Sequence, residues 1–433
     1  MRILLTSFGT RGDVQPYAAF AAALADAGHQ VTLAVPSALA DLVPAAGRGG
    51  GGAGPAGRVT VRPAGDEMLR MIRDVMPQMS GAADGLRSFR AMKSAMREHL
   101  EETWQAALQQ QAEDGGVDVV VHHAKCLGGP HIAEKLGIPA VLTLPLPFYT
   151  PTSAYPVPFF GGADLGARGN RASYAMGRAG NALYAPMLSA FRARIGLPGR
   201  VGRLEDPLRT PDGSAGHVLY PYSRHVLPVP PDYPSTAHVP GYWFLPEQEE
   251  ALAPEVEEFL AAGEAPVYIG FGSMGFGKGA QERRDAVLGA LAATGLRGIV
   301  ATGWGGMTPG ASDREDVLVV EGAPHGALFP RCAAVVHHGG AGSTAAGLRA
   351  GRPTLIVPFL GDQPFWGARL RELGVSPRPL PPRRLGQDLA ARLGELVGTP
   401  AYARRADEVG QRLRAEDGLG EGVRILEEIV AAG

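Results

Sequence analysis

The sequence predicts an α/β protein whose two similar halves face each other across a cleft. Three observations carry that expectation. At 433 residues the chain is too long for one ordinary core, and two domains of about 200 residues are the natural division. A strand, a glycine-bearing turn and a helix open the chain, and the same theme returns near residue 335. Hydrophobic residues make up 45% of the chain, enough to fill two cores.

Residues 3–6 read as a short apolar strand, followed by the turn Phe8-Gly9-Thr10-Arg11-Gly12-Asp13. Pro16 is expected to open a helix in which Phe20 and Leu24 recur at helical spacing, closed by Gly28. Residues 30–35 supply the next strand and complete a βαβ unit. Ligands of such sheets sit beyond the carboxyl ends of the strands, which is where Asp13 falls. Residues 47–57 are low in complexity and are expected as a flexible surface loop. Residues 66–111 read as helical and carry Met68, Met71, Met76, Met79, Met92 and Met96. A methionine cluster adapts to irregular apolar partners. It lines a pocket for a greasy ligand or fills an ordinary helix core, and both readings stay open. Residues 117–121 and 140–144 are further strands, with a helix through His131 to Leu136 between them. Residues 144–160 hold too many prolines for a regular element and are expected as an ordered loop with Phe148 and Tyr149 over a cleft.

Residues 228–246 are proline-dense and read as a linker between a first domain, 1–227, and a second, 247–415. The second begins with a strand at 267–273 and continues through 298–303 and 317–321 to residues 333–336. The stretch that follows is the most informative in the chain. A His pair and a glycine-rich turn lead into a helix at about 343–350, and a strand at 354–358 ends in Gly361-Asp362-Gln363. Glycines let a backbone approach a ligand, and the free N–H groups of a first helical turn face it, so this is a phosphate-binding layout. His338 is placed to hydrogen-bond a phosphate oxygen, and Asp362 with Gln363 to hold polar hydroxyls. Phosphate and polyol side by side suggest a nucleotide-sugar. Residues 416–433 end the chain in an amphipathic helix expected to pack back on the first domain.

A net charge of −2 gives no electrostatic case for nucleic acid. Cys126 and Cys332 lie far apart without ligand spacing and read as buried thiols in a reducing cytoplasm. No run approaches the roughly 20 apolar residues that span a bilayer. The N-terminus enters a strand pattern directly and does not read as a signal peptide. A cytoplasmic protein is expected, with contact to a membrane surface left open.

Four stretches together resemble the family-one inverting glycosyltransferases of the GT-B fold, and most of all the sterol 3-beta-glucosyltransferases and bacterial natural-product glycosyltransferases. They are Gly9-Thr10-Arg11-Gly12-Asp13-Val14-Gln15-Pro16, Leu127-Gly128-Gly129-Pro130-His131-Ile132-Ala133-Glu134, Ile269-Gly270-Phe271-Gly272-Ser273-Met274, and residues 337–367. The resemblance implies two Rossmann-like domains, with the acceptor bound by the first and the nucleotide-sugar by the second. It implies that Asp13 is the catalytic base. By its position alone Asp13 also suits a helix cap. As a base it needs burial to raise its pKa toward neutrality. His338, Gly340, Gly342, Ser343 and Thr344 match diphosphate-binding positions, as does Ser273. Asp362 and Gln363 match the pair that holds the sugar. Trp304, Ala323 and His325 fall where relatives hold the nucleotide base. The acceptor pocket is expected to involve Met76, Met79, Phe148 and Tyr149. In the plant branch an acid binds the ribose where this chain has Ala346, which admits a dTDP donor beside a UDP donor. No Asp-x-Asp pair stands where a metal-bridging role is expected, so no metal cofactor is implied.

The resulting expectation is a hexosyltransferase that moves glucose or a related sugar from UDP to a hydroxyl of a hydrophobic small molecule. Sterols, triterpenes and polyketides all suit such an acceptor. A dTDP-deoxysugar-dependent macrolide glycosyltransferase and a non-catalytic nucleotide-sugar-binding homologue are the alternatives. A nucleotide-sugar epimerase on the same fold is expected to carry additional acid/base residues in the cleft, and no clear set stands in this sequence. A dehydrogenase is disfavoured because the first glycine turn is not G-x-G-x-x-G.

Overall fold

The protein is described by a computed structural model covering residues 1–43, 57–71, 82–245, 251–272, 279–303 and 306–432, the side chains of 82–89 and 179–181 excepted. Met76, Met79, Ser273, Trp304 and all but the last residue of the expected loop at 47–57 lie outside the described residues.

Two fully parallel sheets organise the chain. The first comprises β1 (Arg2–Thr6), β2 (Gln30–Val35), β3 (Arg58–Pro63), β4 (Val119–His123), β5 (Ala140–Thr143), β6 (His217–Leu219) and β7 (Ala237–His238), in the order β3-β2-β1-β4-β5-β6-β7. The second comprises β8 (Val267–Gly270), β9 (Gly298–Ala301), β10 (Val317–Val320), β11 (Ala334–His337) and β12 (Thr354–Ile356), in the order β10-β9-β8-β11-β12. Every residue of β4, β8 and β11 is buried. Strands covered on both faces read as continuous apolar runs rather than alternating ones, as Val119-Val120-Val121 and Ala334-Val335-Val336 do. Strand order reverses between β1 and β4, where Thr6 lies opposite His122, and between β8 and β11, where His337 lies opposite Gly270. Crevices open at such switch points.

Several elements differ from the expectation. The first helix spans Arg11–Asp26, so Pro16 lies inside it. Its start is set by Asp13 reaching back to the N-cap: the Thr10 N–H donates to Asp13 Oδ2 at 2.9 Å, and the backbone ladder opens with the Asp13 N–H donating to the Thr10 carbonyl at 2.9 Å. The described parts of the methionine-rich region form the helices Asp66–Arg70 and Ala82–Asp114. Met68, Met71 and Met96 are buried with Leu100 and Phe191, which is the core reading for these three. The described part of the expected linker, residues 228–245, is itself built into the fold. It carries β7, the edge of the first sheet, and buries Val239, Tyr242 and Trp243. Strands of two and three residues leave no period to read in a sequence.

The helix Gly418–Ala432 returns to the first domain, where Val423, Leu426 and Ile429 join Val14, Phe20 and Leu24 in one core. The Trp243 indole stacks on Phe20 with centroids 4.0 Å apart, and its N–H donates to the Gly418 carbonyl at 3.1 Å. Gly422 permits this approach, since a Cβ there would lie 3.0 Å from Trp243 Nε1 and 3.1 Å from Phe20 Cε2. A second apolar cluster joins the sheets, with Leu146, Tyr220 and Tyr222 meeting Leu348, Phe365, Trp366 and Leu370. Trp243→Ala is therefore expected to cost about 3 kcal/mol or more of stability, as large aromatic truncations in cores do. Denaturant unfolding followed by circular dichroism checks this.

Candidate active site in the cleft

One wall of the cleft is built at the β1/β4 switch point. Gly9 has φ +132°, and a Cβ there would lie 2.2 Å from Asp13 Oδ2, so only glycine lets the carboxylate fold back over the turn. Asp13 Oδ2 accepts from the Thr10 N–H at 2.9 Å and the Thr10 hydroxyl at 3.2 Å. Asp13 Oδ1 accepts from Lys125 Nζ at 2.6 Å. The Ser7 hydroxyl donates to the Asp13 carbonyl at 2.9 Å. Burial pushes the Asp13 carboxyl up. The Lys125 charge and the hydrogen bonds from Lys125 and Thr10 outweigh it and hold the group below the usual carboxylate range. The expectation of a burial-raised base is thus corrected: Asp13 is an ion-paired carboxylate at neutral pH. The cap and the cleft-facing group are one residue, since 23% of its side chain stays exposed.

The opposite wall is the β8/β11 switch point. After β11 the chain turns through His338, Gly339 and Gly340 into the helix Ala341–Arg349. The His337 ring is buried and its Nδ1 accepts the Gly339 N–H at 2.9 Å, so this histidine shapes the turn. The His338 ring lies in a cradle made by two glycines. A Cβ on Gly340 would sit 2.6 Å from its Nε2, and one on Gly272, at φ +59°, would sit 3.1 Å from its Cε1. His338 Nδ1 and Thr344 Oγ1 are buried polar atoms with no hydrogen-bond partner among the described residues. The helical ladder begins with the Thr344 N–H to the Gly340 carbonyl at 2.9 Å. The N–H groups of Ala341, Gly342 and Ser343 therefore point out of the helix end. Gly342 is exposed, with open space where a Cβ would stand. Burial lowers His338 to about 4, so its ring is neutral near pH 7 and offers an N–H rather than a full charge.

Asp362 caps the helix Gln363–Glu372, and its Oδ2 accepts the Trp366 indole N–H at 2.8 Å. Burial raises the Asp362 carboxyl. Lys125 lowers it and Asp13 raises it further, which brings the two walls within electrostatic reach of each other. Gln363 is buried, and its Oε1 accepts the N–H groups of Phe359 at 2.7 Å and Leu360 at 3.1 Å. That oxygen secures the turn, leaving the amide NH₂ for a ligand. The His325 ring stacks on Phe329 at 4.2 Å. Burial lowers it to about 4, with the charge of Arg11 from the first domain and His338 adding to the effect. Ala323 packs against the core beside it.

The aromatic loop divides. Phe148 meets Phe159 edge-on at 5.1 Å, and Phe159 Cε1 lies 3.6 Å from the Cβ position of Gly361, next to Asp362. Tyr149 is tied instead to Tyr220 through its backbone N–H and faces a separate 300 Å³ cavity with Tyr174, Arg171 and Arg178. Lys125, Gly9 and Phe159 are the site residues that sequence reasoning missed. Lys125 pairs with a residue 112 positions away, and no local pattern announces it.

Two parallel sheets with facing switch points, one carrying a cleft-facing carboxylate and the other a glycine-cradled histidine at a helix N-terminus, define a GT-B glycosyltransferase architecture. Solved structures agree on the fold. The glycosyltransferase of kitacinnamycin superposes with TM-score 0.70 at 19% identity over 99% of this chain and 98% of that one. The glycosyltransferase VinC in complex with dTDP gives 0.62 at 21% identity over the whole of both chains. Residues 3–156 match the glycosyltransferase family 28 N-terminal domain, and residues 307–429 match the erythromycin biosynthesis protein CIII-like C-terminal domain.

The chain is 35% identical to the O-mycaminosyltylonolide 6-deoxyallosyltransferase of Streptomyces fradiae, across 99% of this chain and 97% of that protein. It is 32% identical to the vancomycin aglycone glucosyltransferase of Amycolatopsis orientalis over 100% of this chain and 98% of that one. A sterol 3-beta-glucosyltransferase of Arabidopsis thaliana is also 32% identical over 88% of this chain, which spans 58% of that longer protein. The chain belongs to the family-one glycosyltransferases of the sterol-glucosyltransferase and macrolide or glycopeptide antibiotic type. Among the described residues no helix is long and apolar enough to cross a membrane.

Burial lowers His122, His131, His325 and His338 to about 4 and His123 to about 3. Between those values and the unfolded value near 6.5 the unfolded chain binds more protons. Stability is accordingly expected to fall as pH drops from about 6.5 toward 4. Melting temperatures across that window check this.

Proposed function

We propose that the protein is an inverting hexosyltransferase that moves glucose, or a related hexose, from UDP to a hydroxyl of a hydrophobic acceptor such as a sterol, a triterpene or a polyketide. The observation that carries this reading is the Asp13 carboxylate within electrostatic reach of Asp362, on the wall that also carries the His338 cradle. Asp13 takes the proton of the acceptor hydroxyl as its oxygen attacks the anomeric carbon on the face opposite the nucleotide. The C–O bond to the diphosphate breaks and a β-glycoside forms.

The leaving diphosphate meets the outward N–H groups of Ala341, Gly342 and Ser343, the Thr344 hydroxyl and the His338 N–H. Donors fixed where charge develops are the largest single contribution in many such sites. Because this wall supplies the neutralisation, no metal is needed. Asp362 and the Gln363 amide hold sugar hydroxyls. His325 and Ala323 border the nucleotide base. The Phe148–Phe159 pair offers the acceptor an apolar rim beside the sugar.

The test is a mass-spectrometric transfer assay with UDP-glucose and dTDP-glucose against sterols, steroid alcohols, macrolides and flavonoids. A product heavier by one hexosyl unit is expected, and the donor that is consumed identifies the nucleotide. Asp13→Asn should lower kcat by about 10²–10⁴-fold, the worth of a positioned base; full activity in that variant would sink the assignment. EDTA should leave the rate unchanged, and a loss restored by a divalent cation would contradict the metal-free reading.

A further inference from the structure

Lys125 stands on the turn after β4, at the switch point facing Asp13. The turn is tight: the Lys125 N–H donates to His123 Nδ1 at 3.0 Å, and the Leu127 N–H donates to the Lys125 carbonyl at 3.0 Å. The side chain, 47% exposed, reaches across to Asp13 Oδ1 at 2.6 Å. An ionised carboxyl accepts about four hydrogen bonds. The Thr10 N–H and hydroxyl take both directions on Oδ2, and Lys125 takes one on Oδ1. One direction on Oδ1 remains, which suits a single incoming O–H donor.

The groups that face Asp13 come from three elements. His123 ends β4 and Lys125 and Cys126 follow it, Tyr17 lies on Asp13's own helix, and Asp362 belongs to the second domain. Burial keeps His123 neutral above about 3 and the Cys126 thiol protonated up to about 12, and it pushes the Tyr17 hydroxyl well above its ordinary value. The charge of Arg11, on the same turn, acts on His325 across the cleft. Through neutral pH, Lys125 thus supplies the positive charge at this carboxylate.

Resting on the reading of Asp13 as base, we propose that Lys125 is a positioning residue for the transfer. Its ammonium clamps Oδ1, turns the carboxylate so that one accepting direction meets the acceptor hydroxyl, and stands beside the oxygen that loses its proton. An ion-paired carboxylate is a weak base. A cation next to the reacting oxygen offsets that weakness by stabilising the negative charge that develops there.

The test follows the Asp13 carboxyl by ¹³C NMR in the full chain labelled at aspartate Cγ, with Asp13→Asn assigning the signal and melting temperatures confirming folding. In Lys125→Met the titration should move to higher pH. On the acid limb the ionised fraction should fall about tenfold, the low end of what losing a contact ion pair does. Lys125→Arg, which keeps the charge, should titrate with the wild type. The proposal is overturned if Lys125→Met titrates with the wild type, or if both variants shift alike. In the UDP-glucose transfer assay the acid limb of kcat/KM should move with the carboxyl in Lys125→Met. A carboxyl that moves while that limb stays fixed would leave the clamp standing and remove Asp13 as base.

Discussion

The geometry of the cleft depends on apolar contacts that lock the two sheets together, and two tryptophans convey those contacts to the polar site. Trp366 is 1% exposed within the cluster that joins the domains, and its indole N–H holds Asp362 Oδ2. Trp243 stacks on Phe20, within the helix that carries Asp13, and its indole N–H binds the first residue of the returning helix. Each ring buries a large apolar surface, and each N–H finds a partner, as buried tryptophans require. Packing therefore sets where both carboxylates stand. A protein that must bring two substrates together in one orientation gains from having both walls braced this way.

Electrostatics divide the labour between the walls. The first holds an ionised carboxylate, kept below its ordinary range by a lysine despite its burial. The second holds neutral imidazole, helix N–H groups and a threonine hydroxyl without a partner among the described residues, all donors without a full charge. That wall suits an anion arriving with its own charge, and it avoids the cost of burying an unpaired cation beforehand. Asp13 raises the cost of ionising Asp362 across the gap, and the Lys125 charge relieves part of it.

Much of this was legible in the sequence where the chemistry is local. The glycine turn at 339–342 and the strand–turn–helix at the N-terminus are short-range patterns, and Gly9 at φ +132° and Gly339 at φ +98° meet a backbone demand there. Pairings across the chain were not legible. Lys125 meets Asp13 only because parallel pairing of β1 with β4 brings their carboxyl ends together. The helix start at Arg11 was missed because Pro16 looks like an opener, whereas the Thr10–Asp13 cap builds an N-terminus a turn earlier. Gln363 read as a ligand for sugar, yet its oxygen is committed to the turn before it. The prolines of 228–245 also suit a short edge strand and the buried chain leading from it, which a proline count does not reveal.

The central claim is a single displacement at the anomeric carbon, driven by one base on one wall while the other receives the leaving group. The most direct measurement is the anomeric configuration of the product formed from α-linked UDP-glucose or dTDP-glucose, read from the proton coupling at the transferred sugar's C1. Inversion gives the large diaxial coupling of a β-glucoside. An α-glucoside would mean retention and a different catalytic plan, and it would contradict the role given to Asp13 and the cleft that holds it.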